Sequence, residues 1–393
     1  MNIGIITAEV PYPDNSGGRK YTWERIKSLR NLGNNIYLYS IKDEEVYYSD
    51  EKELNRYCSK VRFYERRKGK LSALLNSYRP YSAFSRYSKE MKKQIKSDIH
   101  NEKIDVLIVD IPQLMYNIPL KSSVPIILTQ HNIEYKTFIN IGKKSNNLIK
   151  KMAFIFEGYK LKRFEVNWYK KDIISLFTFI SKEDKEFFEK KYNRRTILIP
   201  MGVDYLEDNI EKSTTSNKVV FCGKMSYYPN EEAVMWFAKS ILPKIKDSLI
   251  DVKFYIVGKE PSKEVLDLKS DSIVVTGMVD DVNKFVDMAD IVVIPLLSGG
   301  GVKIKLLEAL SRRKLVVTTQ KGIEGTEFKD EEHVIVAEND IDFANKCVEV
   351  LKNIERYNYL TDNSIEVLGK NYSWKHIGEI YNKSLKKLCE ERR

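Results

Sequence analysis

The chain has 393 residues, of which 42% are hydrophobic and 31% charged, and its formal net charge is +11. That length exceeds what one core usually serves, so two domains are expected, and the balance argues against a disordered or fibrous chain. Four cysteines without a CxxC pair and four scattered histidines speak against a disulfide framework or a zinc site.

No run approaches the roughly 18–20 uncharged residues of a membrane span. The N-terminal apolar run is broken by Glu9 and Pro11 and has no basic leader. The expectation is a cytoplasmic protein. Its charge is uneven: residues 1–200 hold 38 of the 66 Lys and Arg but 23 of the 55 Asp and Glu. The excess peaks at residues 51–100, which favours an anionic surface or substrate for the first half.

Taken in order, the chain begins with an apolar strand at 2–7, a Pro/Gly loop at 10–18 and a helix at 19–32 capped by Gly33. Further strands are expected at 36–41, 105–110, 125–129, 173–180 and 196–199, with helices at 148–168 and 182–191. A polar stretch near 200–217 reads as a linker, after which the series restarts. Strands are expected at 218–222, 251–257, 272–276, 290–294 and 315–319, and helices at 230–241, 302–310 and 342–353. This alternation predicts an α/β protein of two doubly wound, Rossmann-like domains facing across a cleft, residues 1–200 and 201–373. A final helix, within 374–393, either closes the second domain or returns to the first.

The strongest local signal runs from Ile291 to Leu310, a β-branched strand followed by Gly299, Gly300 and Gly301 and then a helix. Glycines let backbone N–H groups approach a ligand, and a helix start favours anions. Lys303 and Lys305 add positive charge in what reads as the first turn, which points to phosphate. Glu308 follows Lys305 by three residues on one helix face, suited to accept hydrogen bonds from ribose hydroxyls. Gly17 and Gly18 open the first helix in a loop that fits neither GxGxxG nor a Walker motif. Lys224 leaves another strand end as a candidate phosphate contact. His131 sits at a further strand end with Asn132 and Glu134 beside it.

Together these segments resemble the retaining glycosyltransferase family four (group 1), of GT-B architecture, in family order over nearly the whole chain. The resemblance rests on Gly17-Gly18, His131-Asn-Ile-Glu134, Ile180-Ser-Lys-Glu-Asp184, Ile199-Pro-Met-Gly-Val-Asp204 and Phe221-Cys-Gly-Lys224. It continues through Ile256-Val-Gly258, Thr276-Gly-Met-Val-Asp280, Glu308-Ala-Leu310, Val316-Val-Thr-Thr319 and Tyr372-Ser-Trp374. It implies a final helix that crosses back to the first domain. His131, Lys224 and Lys305 are then expected to be catalytic. The donor is expected at Gly17, Gly18, Gly223, Val279, Gly299, Gly300, Gly301, Val302 and Glu308. Three positions depart from the family pattern: Gly300 and Asn230 stand where a glutamate and a lysine are usual, and Met201 where an asparagine is. The glycine-rich form with Lys305 resembles a subgroup of sugar transferases in which Lys305 and loop amides replace the missing groups.

The resemblance implies transfer of a sugar from a nucleotide diphosphate sugar, UDP before GDP, to a hydroxyl of a glycan or lipid-linked acceptor. Retention, no metal and no cofactor are expected, with a peripheral position on the inner membrane face through the basic first half. A sugar-nucleotide 2-epimerase and a catalytically silent nucleotide-sugar-binding partner are the alternatives. Nucleic-acid binding is not expected, because no recognition motif accompanies the charge.

Overall fold

The computed structural model describes residues 1–14, 16–43, 45–67, 79–144, 148–205, 216–299 and 301–392. Its contacts divide the chain into two compact units, Met1–Pro200 with Ile377–Arg393, and Met201–His376. Most of the expected linker, at 206–215, lies outside the described residues, as do Gly300 and residues 68–78 within the basic peak.

Unit 1 holds a seven-stranded parallel sheet. Its strands are β1 (Asn2–Thr7), β2 (Asn35–Lys42), β3 (Lys60–Glu65), β4 (Val106–Val109), β5 (Ile126–Gln130), β6 (Ile174–Phe179) and β7 (Thr196–Leu198). They lie in the order β3-β2-β1-β4-β5-β6-β7. The central strands are apolar runs because both faces are covered; Val106–Val109 is buried at every residue. Strand order reverses between β1 and β4, and the loops leaving those two strands open a crevice at their C-terminal ends. The sequence reading missed β3 and the helix Lys89–Asn101. β3 is a half-buried edge strand carrying Lys60, Arg62 and Glu65, so its pattern looks like surface.

The helix Trp374–Glu390 delivers its residues from Ile377 onward to unit 1. Tyr381 is fully buried there, and Asn34 Nδ2 donates to Asn382 Oδ1 at 3.1 Å. Gly378 permits the approach, since a Cβ would lie 2.8 Å from that of Ser28.

Unit 2 holds a six-stranded parallel sheet of β8 (Lys218–Cys222), β9 (Lys253–Val257), β10 (Ile273–Gly277), β11 (Ile291–Ile294), β12 (Leu315–Thr319) and β13 (Ile335–Ala337). The order is β10-β9-β8-β11-β12-β13, so the reversal falls between β8 and β11. The continuous helix expected at 230–241 is not what forms. An α-helix spans Tyr228–Trp236, one wider π turn spans Phe237–Ile241, and a short helix follows at Leu242–Lys246. Pro243 has no N–H to give a carbonyl of the preceding turn, so the ladder re-registers there.

Candidate functional site

In unit 2 the reversal places the loops after β8 and β11 side by side. Gly223 and Lys224 leave β8. After β11 comes the glycine loop, with Gly299 at φ +102° and Gly301 at φ +71°, and then the helix Ile304–Ser311. Only residues without a Cβ adopt those dihedrals without strain. Ser298 Oγ donates to Glu232 Oε2 at 2.7 Å, which ties this loop to the helix Tyr228–Trp236.

Lys303 is the cap residue before the helix rather than part of its first turn. Its ammonium turns back to donate to the carbonyl of Gly301. The expectation of two first-turn lysines therefore needs correction: Lys303 closes the glycine loop, and Lys305 alone of the two is carried on the helix. Lys305 Nζ reaches Asn230 Oδ1 at 2.6 Å and lies 3.9 Å from the centre of the Phe221 ring. Asn230 Nδ2 in turn donates to the Lys224 carbonyl at 2.8 Å. Burial lowers the Lys305 pKa to about 7, only partly offset by Cys222 and Glu308.

Gly223 is built around this cluster. A Cβ there would lie 2.7 Å from Asn230 Nδ2 and 2.9 Å from Lys305 Nζ. Gly258, at the end of β9, has φ +147°, and a Cβ would lie 1.8 Å from the Gly223 carbonyl oxygen. Lys224 is half exposed, and its Nζ pairs with Glu260 at 2.9 Å. Glu308 is partly exposed one turn beyond Lys305. Val302 is half-buried against the core, and Val279 likewise, in the loop past β10, two strands from β8. Of the residues singled out in the sequence, unit 2 thus gathers Gly223 and Lys305 beside Gly299 and Gly301. Gly300 lies outside the described residues.

Unit 1 has its own pocket, about 440 Å³, at the β1/β4 reversal; Gly18, Arg86, Asp110, His131 and Glu134 line it. Gly17 and Gly18 start the helix Gly17–Asn31, whose cap, Ser16 Oγ, accepts from the Arg19 N–H. His131 follows β5, and its Nε2 lies 3.1 Å from Asp110 Oδ1. Behind it Arg25 Nη2 donates to the same oxygen at 2.6 Å, and Thr22 Oγ1 donates to Asp110 Oδ2 at 2.9 Å. Burial opposes ionisation of Asp110, but His131 and Arg25 outweigh it and hold the carboxyl well below the usual range. Burial raises the pKa of Glu134, against the pull of His131 and Arg86. Asp110 and Arg25 escaped the sequence reading. The available signal was an acid ending an otherwise apolar strand and an arginine inside a helix that buries its inner face.

Among the described residues no three His, Cys, Asp or Glu side chains are grouped as a metal ion would need. No helix among them is long and apolar enough to cross a membrane.

Two parallel, doubly wound units, each with its loops gathered at a strand reversal, define a GT-B fold. The same fold occurs in sucrose-phosphate synthase from Thermosynechococcus elongatus, at 13% identity over the whole of both chains and a TM-score of 0.68. It also occurs in HepE of Anabaena, solved with UDP, at 12% identity, 98% and 100% coverage and a TM-score of 0.64. An uncharacterized 44.6 kDa protein in the cps region of Klebsiella pneumoniae is 25% identical over 95% of this chain and 97% of its own. Residues 216–353 match the family of glycosyl transferases group 1. The resemblance read from the sequence is matched in two respects: residues 216–353, within unit 2, are similar to the group 1 glycosyltransferases, and the chain has the fold of GT-B enzymes.

Proposed function

We propose that the protein is a retaining glycosyltransferase that moves a sugar from a nucleotide diphosphate sugar, UDP-linked in the first instance, to a hydroxyl of a glycan or lipid-linked acceptor in surface polysaccharide assembly. The observation that carries this reading is the cluster of Gly223, Asn230 and Lys305 beside the glycine loop. It offers amides and one enclosed cation where a diphosphate would lie, with Glu308 a turn away for the ribose. Lys305 delivers its ammonium to the tip of Asn230, so the cation missing at position 230 arrives from another element. The binding of UDP by HepE and the cps location of the Klebsiella relative support the donor and the pathway.

On this reading the anomeric carbon loses its bond to the leaving diphosphate, whose growing negative charge Lys305, Lys224 and the loop amides stabilise. The acceptor hydroxyl attacks from the same face, and its proton passes to the leaving phosphate oxygen. No metal is required for that charge balance. The unit 1 pocket takes the acceptor, with His131 held by Asp110 toward it.

The test is a thermal shift of the full chain against UDP, GDP, ADP and CMP, followed by transfer assays with the sugar donors of whichever nucleotide stabilises it. Stabilisation by UDP and transfer with retained anomeric configuration are expected. No stabilisation by any nucleotide, or isomerised donor without transfer, overturns the assignment.

A further inference from the structure

The helix Leu148–Tyr169 has two faces of different fate. One packs inward: Gly158 is so close to the preceding helix Glu134–Lys144 that a Cβ would lie 2.7 Å from Ile139 Cγ1, and Leu161, Phe164 and Trp168 are buried with it. At 100° per residue, Leu148, Met152, Phe156 and Tyr159 fall together on the opposite face, with Ile149 at its margin. All five are exposed, Ile149 to 81% and Leu148 to 70%. Five large apolar side chains along the first three turns of one helix are not the scattered exposure that surfaces normally show.

The same face continues into a pocket of about 640 Å³. It is lined by Tyr159, Lys162, Arg163, Asn167 and Lys170, with Tyr116 opposite, and among the described residues no carboxylate lines it. Residues 143–170 hold eight Lys and Arg against two acids, Glu157 and Glu165, and Glu165 is buried. Lys160 lies over the Phe156 ring at 4.8 Å, so cation and apolar surface are interleaved. An apolar stripe that runs into a basic, acid-free pocket matches a surface whose interior is apolar and whose boundary is negative.

We propose that this face of the helix Leu148–Tyr169 docks on an anionic lipid bilayer. The stripe from Leu148 to Tyr159 enters the acyl boundary, and the pocket formed with Lys162, Arg163 and Lys170 receives a lipid phosphate headgroup. Each cation near such a surface is worth about fivefold in partitioning. Docking here stands independently of the transferase reading, because it invokes no donor, acceptor or residue of the unit 2 cluster.

The test is flotation of the full chain with vesicles of phosphatidylcholine alone or with 30 mole per cent phosphatidylglycerol added, without any nucleotide sugar present. The wild type is expected to float with the anionic vesicles alone and to be released by about 0.5 M salt. Ile149→Glu with Phe156→Glu, and separately Lys162→Glu with Lys170→Glu, are each expected to lower binding at least about tenfold. All four side chains point away from the core, and an unchanged melting temperature verifies the fold. Equal flotation with both vesicles, no flotation of the wild type, or wild-type binding by both correctly folded variants overturns the proposal.

Discussion

Lys305 Nζ and Asn230 Oδ1 lie 2.6 Å apart, although they stand 75 residues apart in the chain and on different helices. The contact places a buried ammonium against a neutral amide, with the Phe221 ring beneath it and the Cys222 thiol, Glu308 and Lys303 as the titratable groups around it. The neutral amide and the ring compensate such a cation poorly, and a bound anion would compensate it well.

Removal of the ammonium therefore tests the site most directly. Lys305→Met is expected to lower turnover at least about tenfold, since losing one donor to developing charge commonly costs about 10²–10³. Asn230→Lys in that background should recover part of the loss, because a lysine at 230 starts from the place Lys305 reaches. Steady-state transfer from the UDP sugar measures both. Full activity of Lys305→Met removes the ammonium from the reaction.

The depressed pKa has a pH consequence. Folded Lys305 titrates near pH 7 and an ordinary lysine near 10.5, so between these values the unfolded chain holds more protons and stability rises with pH. The cost of the buried charge is present in full below about pH 7 and relieved as pH approaches 10.5. Denaturant titrations from pH 6 to 10 should show this slope in the wild type and less of it in Lys305→Met. UDP, which requires the ammonium form, should bind up to about tenfold more weakly per pH unit above 7. A pH-independent affinity for UDP contradicts the coupling.

Glu308→Ala should weaken UDP binding by about tenfold or more, since hydrogen bonds to a charged group contribute about 1.5–3 kcal/mol. Calorimetry against UDP and the free diphosphate separates this from a phosphate contact. Loss toward UDP alone is expected, and equal loss toward both argues against a ribose role.

Gly258→Ala should disrupt unit 2 outright. Its Cβ would lie 1.8 Å from the Gly223 carbonyl oxygen at a φ that side chains avoid, so more than about 4 kcal/mol is expected. The atoms nearest a Cβ at Gly223 are the side-chain ends of Asn230 and Lys305, so Gly223→Ala should fold and lose turnover instead. Melting temperature and activity, compared for the pair, distinguish the two cases.

In unit 1, His131→Ala should lower transfer at least about tenfold while leaving affinity for UDP unchanged. Asp110→Asn should also destabilise the fold by about 3–5 kcal/mol, because it leaves buried Arg25 without its carboxylate. Urea denaturation and transfer kinetics check both.

The local features were legible because they depend on near neighbours. Strand runs such as Ile291–Ile294, the glycines at φ +102° and +71°, and the helix that carries Lys305 and Glu308 follow from β-branching, dihedral freedom and helical spacing. Less legible were features that answer to distant residues. The edge strand Lys60–Glu65 has the pattern of surface, and the break at Phe237–Ile241 needed the consequence of Pro243 to be followed upstream.

Sequence by itself determined the alternation of strands and helices and the glycine loop with the helix that follows it. Only the tertiary structure decided that Lys303 closes the loop while Lys305 occupies the space in front of Gly223, that Asp110 and Arg25 stand behind His131, and which face of the helix Leu148–Tyr169 meets solvent. The physical reason is the same in each case. A charged or apolar side chain carries no mark of its partner, and the partner is chosen by which loops the strand order brings together and which surface the packing leaves uncovered.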